Sequence, residues 1–207
     1  EAYLFYVLSQ KKELWINQSC LFDLSENGLH YYEFGVTRGR KPQVVEVQHE
    51  ELEEGFSLEI LETSAGKKLG DTILSSCAER LLQRKVMTSV FLTGKGFEST
   101  DWAPGFLRFV CNKRRVFAGT GLFAKGAARM AYDRTLAENP YPYICLCEGR
   151  LASTVSMQVY HEGRERELVL APAGSDWYEA KASASFILDD TNVLEFTVTP
   201  AKTGRSG

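Results

Sequence analysis

No stretch of this 207-residue sequence is apolar over the ~20 residues that a helix needs to cross a bilayer. Positive charge is not in excess either: the net charge is −3, which argues against a dedicated nucleic-acid binder with a basic face. No signal-peptide pattern occurs, and the chain starts at Glu1 rather than Met, as expected of a piece of a longer protein. These absences lead to the expectation of a cytoplasmic protein with neither membrane nor nucleic acid as partner.

The residues of common catalytic and metal sites are also sparse. His30, His49 and His161 are scattered and match no metal spacing. No Ser-His-Asp or Cys-His arrangement suggests itself, and Gly-x-Ser-x-Gly is absent. The five cysteines (Cys20, Cys77, Cys111, Cys145 and Cys147) are odd in number and irregularly spaced, which suits reduced thiols better than a disulfide framework. Cys145 and Cys147 would share one face of a strand, but a lone Cys-x-Cys pair supplies too few ligands for structural zinc. Asp189-Asp190 reads as a solvated turn tip. The sequence therefore predicts no catalytic residue, no metal and no hydrolysis by this chain alone.

What is present is the composition of an ordinary globular protein, 44% apolar and 25% charged. Residues 2–15 place Leu4, Phe5, Leu8 and Trp15 at helical spacing, with Lys11 and Lys12 complementing the dipole at the far end. Three strand-like runs follow, "SCLFDLS", "LHYYEFGV" and "QVVEVQ". Asn27-Gly28 is a strong hairpin signal and "TRGRKP" a second turn, so an antiparallel meander is predicted. "HEELEEG" reads as an acidic linker. From Leu69, an amphipathic helix is marked by Leu69, Ile73, Cys77 and Leu81.

The strand "SVFLT" then ends in Gly94-Lys95-Gly96-Phe97, followed by a short helix around 102–110, the strand "RRVFA", and a helix over 122–136 opened by Gly119-Thr120-Gly121. After Asn139-Pro140 the period changes to two in "YICLCE", "STVSMQVYHEG", "RELVLAPAG", "WYEAKASASFILDD" and "NVLEFTVTP", with turn signals at Glu162-Gly163 and Ala173-Gly174. The predicted organisation is a mixed-sheet α/β domain over 1–139, a small all-β antiparallel, sandwich-like domain over 140–200, and a disordered tail over 201–207. A sheet of ~60 residues buries little core alone, so it is expected to pack on the first domain or on a partner.

Three meandering strands, then helix, strand, helix, strand and helix, together with "YLFYVLSQKKELW", "VFLTGKGF", "RRVF" and "FAKGAARMA", resemble the second lobe of the actin and Hsp70 ATPase superfamily, a ribonuclease H-like fold. The wording is similar to an uncharacterised family of Gram-positive bacterial proteins with a degenerate form of that lobe. The resemblance covers about residues 2–137. It implies that the Gly94-x-Gly96-Phe97 turn stands where the superfamily has its adenosine motif, and that "LFDLSENGL" stands where it has its second phosphate motif.

The departures are substantial. A working second phosphate motif resembles Asp-x-Gly-Gly-Gly-Thr, whose backbone N–H groups reach phosphates. Here Asp23 is followed by Leu24, Ser25, Glu26 and Asn27 before Gly28, and Glu26 brings negative charge toward any phosphate. The insertion between the third strand and the next helix, which forms part of the adenine pocket, has only about residues 50–68 in its place. The first lobe is absent from this chain.

Two readings of the glycine turn stay open. In one, Gly94 and Gly96 only shape a strand-to-helix turn. In the other, Asp23, Gly94, Lys95, Gly96 and Phe97 line one wall of a nucleotide cleft, with ATP and Mg bound only in company with a missing first lobe. Gly126 is read as close helix-to-sheet packing beside Ala127 and Ala128. Trp177-Tyr178, two aromatics beside a turn, and the basic Arg114-Arg115 are candidate contact surfaces. The expected function is a non-catalytic protein-interaction or scaffold module, whose partner is another protein or the remainder of a longer chain. The alternative is the ATP-binding second lobe of a chaperone-like or actin-like ATPase.

Overall fold

The computed structural model describes residues 1–39, 41–137, 140–188 and 193–204. The chain divides into two compact units, one of residues 1–36 and 46–140, the other of residues 37–45 and 141–207. The first unit carries β1 (Gln18–Ser25), most of β2 (Gly28–Thr37) and of β3 (Gln43–Leu52), then β4 (Met87–Thr93) and β5 (Arg115–Ala118). Its helices are α1 (Ala2–Ser9), α2 (Ser64–Leu82), α3 (Pro104–Val110) and α4 (Leu122–Asp133). The second unit holds β6 (Tyr143–Leu146), β7 (Ser153–His161), β8 (Arg164–Ala171) and β9 (Thr197–Pro200).

The larger sheet is mixed and runs β5-β4-β1-β2-β3-β6. β1 pairs antiparallel with β2, Ser25 opposite Gly28, while β4 runs parallel to both β1 and β5. Gly28, at φ +112°, completes the hairpin that Asn27-Gly28 signals. In the first unit the element order predicted from the sequence is present. β3 goes further than predicted: "HEEL" continues the strand and is not a linker, because Leu52 is drawn into the core at 3% exposure.

Alternation sorts the strands onto two faces. Cys20, Phe22 and Leu24 of β1 and Val90 and Leu92 of β4 meet Leu74, Cys77, Ala78, Leu81 and Leu82 of α2, with Phe106 and Val110 of α3. Burial pushes the Cys20 thiol far above its ordinary pKa, so it stays a neutral apolar group. α2 begins a turn earlier than its apolar repeat because Thr63 caps it, accepting from the Gly66 N–H at 3.0 Å. Leu69 is 56% exposed, outside the buried stripe. Asp71 of α2 accepts from the N–H groups of Gly105 (2.9 Å) and Phe106 (2.8 Å), so one helix supplies the cap of the next.

On the opposite face, Tyr3 of α1 is buried with its hydroxyl 3.0 Å from that of Ser19. α1 is shorter than the 2–15 helix read from the sequence. The chain leaves helical geometry at Gln10, whose carbonyl accepts from the Trp15 indole N–H at 3.3 Å. Trp15 is thereby folded back edge-on to Phe34, and Lys11 and Lys12 lie beyond the helix end. Gly126 packs helix against helix, correcting the helix-to-sheet reading: a Cβ there would come 1.9 Å from the Ala2 carbonyl oxygen.

The second unit departs most from its sequence pattern. β8, β7 and β9 form a three-stranded antiparallel sheet, turned at Glu162-Gly163, both at positive φ. "WYEAKASASFILDD" forms no strand over its described residues, and of "NVLEFTVTP" only Thr197–Pro200 does. The Ala-Ser run of 182–185 offers no large apolar side chain to anchor a strand. Val44 of β3 packs with Leu146, Ala201, Ile144 and Ala173, which is why residues 37–45 belong to this unit. Asp189 and Asp190, Asn139, and residues 205–207 of the expected tail lie outside the described residues.

The Gly126 contact yields a stability prediction. Gly126→Ala should cost about 1–3 kcal/mol by forcing α1 and α4 apart. Gly119→Ala, with nothing within 4 Å of the added carbon, should change stability by less than about 0.5 kcal/mol. Urea denaturation of both variants checks this, and equal midpoints would refute it.

Candidate functional site

The carboxyl ends of the parallel strands bring the sequence-singled residues together. Asp23 of β1 stands in register with Thr93 of β4, and Gly94 follows at φ +94°. The Thr93 hydroxyl donates to the Gly119 carbonyl at 2.9 Å, which ties the end of β4 to the exit of β5. In open α/β sheets this edge is where ligands gather.

The turn itself is closely fitted to β1. A Cβ on Gly94 would lie 2.3 Å from the Leu24 carbonyl oxygen and 2.5 Å from Asp23 Oδ1. A Cβ on Gly96 would lie 2.5 Å from the Leu24 side chain. The Gly96 carbonyl accepts from the Trp102 indole N–H at 2.9 Å. Phe97 is buried and stacked between Trp102 and Phe106, with ring centres 6.3 and 6.0 Å away. Lys95 reaches outward and its Nζ meets Glu26 Oε1 at 2.9 Å. That pairing lowers the pKa of Glu26 and raises that of Lys95, holding both charged.

Asp23 is half-buried, and burial pushes its carboxyl above the usual aspartate range, against a smaller downward pull from His30. His30 sits opposite Asp23 across the hairpin. Its Nδ1 lies 3.2 Å from His49 Nε2, and the His49 ring stacks on Tyr32 at 4.5 Å. The sequence treats these two histidines as scattered, since the register of β3 against β2 cannot be read from spacing alone. Among the described residues, no group of three or more His, Cys, Asp or Glu side chains is placed to hold a metal ion.

Beside the turn lies a cleft of about 890 Å³ with no counterpart in the sequence motifs. Glu26, Lys95 and Gly96 form one side, and the segment carrying Leu58, Glu59, Leu61 and Glu62 forms another. In the sequence Glu59 and Glu62 belong to the short stretch of about residues 50–68 and carry no motif of their own. They line the cleft because residues 58–62 coil into a short 3-10 turn, with the Ser57 hydroxyl accepting from the Glu59 N–H.

The remaining candidates fall in different places. Arg114 is used locally: it donates to the Phe109 carbonyl at 3.3 Å and lies over the Phe109 ring. Arg115 is exposed on β5. Trp177 and Tyr178, in the second unit, are 65% and 51% exposed and meet edge to face at 6.0 Å. The Trp177 N–H donates to the Gly149 carbonyl, and Arg150 donates to the Gly174 carbonyl at 2.8 Å, which fixes the turn that presents the two rings.

Fold and site together define a mixed α/β protein with a glycine turn at the carboxyl edge of its sheet and a separate three-stranded antiparallel sheet. Residues 1–148 match the family of unknown function DUF5716, C-terminal, and the chain belongs to that family. Residues 150–206 match the domain of unknown function DUF8552. A comparison with curated proteins returns no match. Among the described residues no helix is long and apolar enough to cross a membrane.

The environment of Asp23 sets a pH dependence. A carboxyl whose folded pKa is raised favours folding while protonated, and that contribution is lost as pH rises through the folded value. Asp23→Asn should therefore be more stable than the parent at pH 7, and the gap should close below the ordinary aspartate pKa of about 3.9. Thermal melts between pH 3 and pH 7 read this out, and a gap that widened on acidification would reverse the assignment.

Proposed function

We propose that the chain is a non-catalytic protein-interaction or scaffold module built on a degenerate actin/Hsp70-like lobe. The supporting observation is that the Gly94–Phe97 turn uses its own groups for folding. Both glycines make room for β1, Lys95 is engaged by Glu26, the Gly96 carbonyl holds Trp102, and Phe97 is core. No backbone feature of the turn depends on a phosphate for its explanation. The element order of the first unit supports the lobe-like lineage, and exposed Trp177 and Tyr178 support contact with another protein. A cytoplasmic setting goes with this reading, the partner being a second protein or the remainder of a longer chain.

A second reading rests on the meeting of Asp23, Thr93, Gly94 and Gly119 at the carboxyl edge. There, Asp23, Gly94, Lys95, Gly96 and Phe97 would form one wall of an ATP site completed by a first lobe outside this chain. Calorimetric titration with Mg-ATP separates the two. The module reading expects no saturable heat up to about millimolar nucleotide. Tighter binding that is lost in Lys95→Glu, an exposed substitution, would favour the ATPase lobe instead.

A further inference from the structure

We infer that the cleft beside the Gly94–Phe97 turn takes a Lys/Arg-rich segment of a partner protein that carries an apolar side chain between its basic residues. The inference rests on the module reading and adds the chemistry of the partner.

The floor of the cleft is apolar: Leu58 and Leu61 pack on the core, and Trp102 closes it from beneath. Its rim is acidic, with five carboxylates against the ammonium groups of Lys67 and Lys95. Lys95 is already neutralised by Glu26. Glu98 also lies in the field of Lys95, which leaves Glu59, Glu62 and Asp101 with Lys67 as the remaining cation of the lining. Glu59 and Glu62 form no ion pair among the described residues, and both are exposed. At about 890 Å³ the cleft is open rather than enclosed, with room for several side chains of an extended segment.

Charge decides among occupants. A phosphate-bearing ligand would meet an excess of carboxylates at short range, which is unfavourable without a cation between them. A metal ion is disfavoured because the acids are spread around the rim and do not converge. The basic cleft on this chain, lined by Arg80, Arg84, Lys85 and Arg114 with Glu79 among them, is a poor complement from a second copy. Two of those cations are already engaged, Arg80 by Glu54 and Glu50, and Lys85 by Glu33. A basic segment from another protein meets no such competition. Its ammonium or guanidinium groups would pair with the rim while one apolar side chain covers the leucines, as a central anchor with a polar surround.

Titration of the full chain by fluorescence anisotropy with a short labelled Lys-Leu peptide tests this. A Glu-Leu peptide and a Lys-Ser peptide serve as ligand controls. Binding of Lys-Leu is expected, with about tenfold or greater loss for Lys-Ser and for the variant Glu59→Lys/Glu62→Lys. The variant Glu51→Lys/Glu53→Lys, which changes the same charge outside the cleft, should stay within about twofold. Equal losses in both variants, or no binding of Lys-Leu, would overturn the inference. Self-association in sedimentation that disappears in Glu59→Lys/Glu62→Lys would also overturn it, because the occupant would then be a second copy. A peptide failure with no Mg-ATP binding removes only the cleft inference, whereas Mg-ATP binding removes the module reading itself.

Discussion

One steric constraint organises the first unit: the turn after β4 runs so close to the end of β1 that no side chain fits between them. At Gly94 the space a Cβ would need is taken by the Leu24 carbonyl, and at Gly96 by the Leu24 side chain. A left-handed backbone at Gly94 then sends the chain over the β1 edge rather than along it. Everything downstream follows that direction. Phe97 enters the core, Trp102 hangs from the Gly96 carbonyl, and Phe106 stacks beneath, so α3 is set by contacts that begin at the turn.

The same turn explains why chemistry and architecture are hard to separate here. A glycine pair around a lysine invites a phosphate, yet each group in this one has an intramolecular role. The lysine points to solvent and finds a carboxylate, forming an exposed pair that contributes little to stability. Its larger effect is on the field around it. With its charge balanced, the adjoining cleft keeps the sign of its glutamates, and the surface that the motif borders becomes acidic where a nucleotide site would be basic.

Much of the first unit was legible in its residues. The hairpin at Asn27-Gly28, the buried run of β4 and the helical period of α2 are local signals, set by turn conformation and amphipathic pattern, and they are present in the fold, with Leu69 alone of the α2 repeat left exposed. What was not legible depended on distant partners. α1 stops at Ser9 because Trp15 turns back to the Gln10 carbonyl, though its own spacing would continue the helix. β3 runs through a charged stretch because Leu52 is needed in the core. His30 and His49 meet only through strand register, and Glu59 and Glu62 line a cleft only because residues 58–62 coil beside them. In the second unit, alternation overstated the number of strands, since a period of two in Ala and Ser has no burial to enforce it.

The capping of α3 by Asp71 reaches beyond local stability. Its carboxylate spans the gap between two helices that are far apart in sequence, and a Cβ on Gly105 would lie 2.9 Å from its Oδ2. Positions 71 and 105 are therefore not independent. A side chain at 105 would press on the end of the Asp71 side chain, the group that accepts from both amide hydrogens. Across homologous sequences the pair should drift together as a unit, which makes it a signature of the α2–α3 arrangement more discriminating than the glycine turn, whose pattern many unrelated loops share.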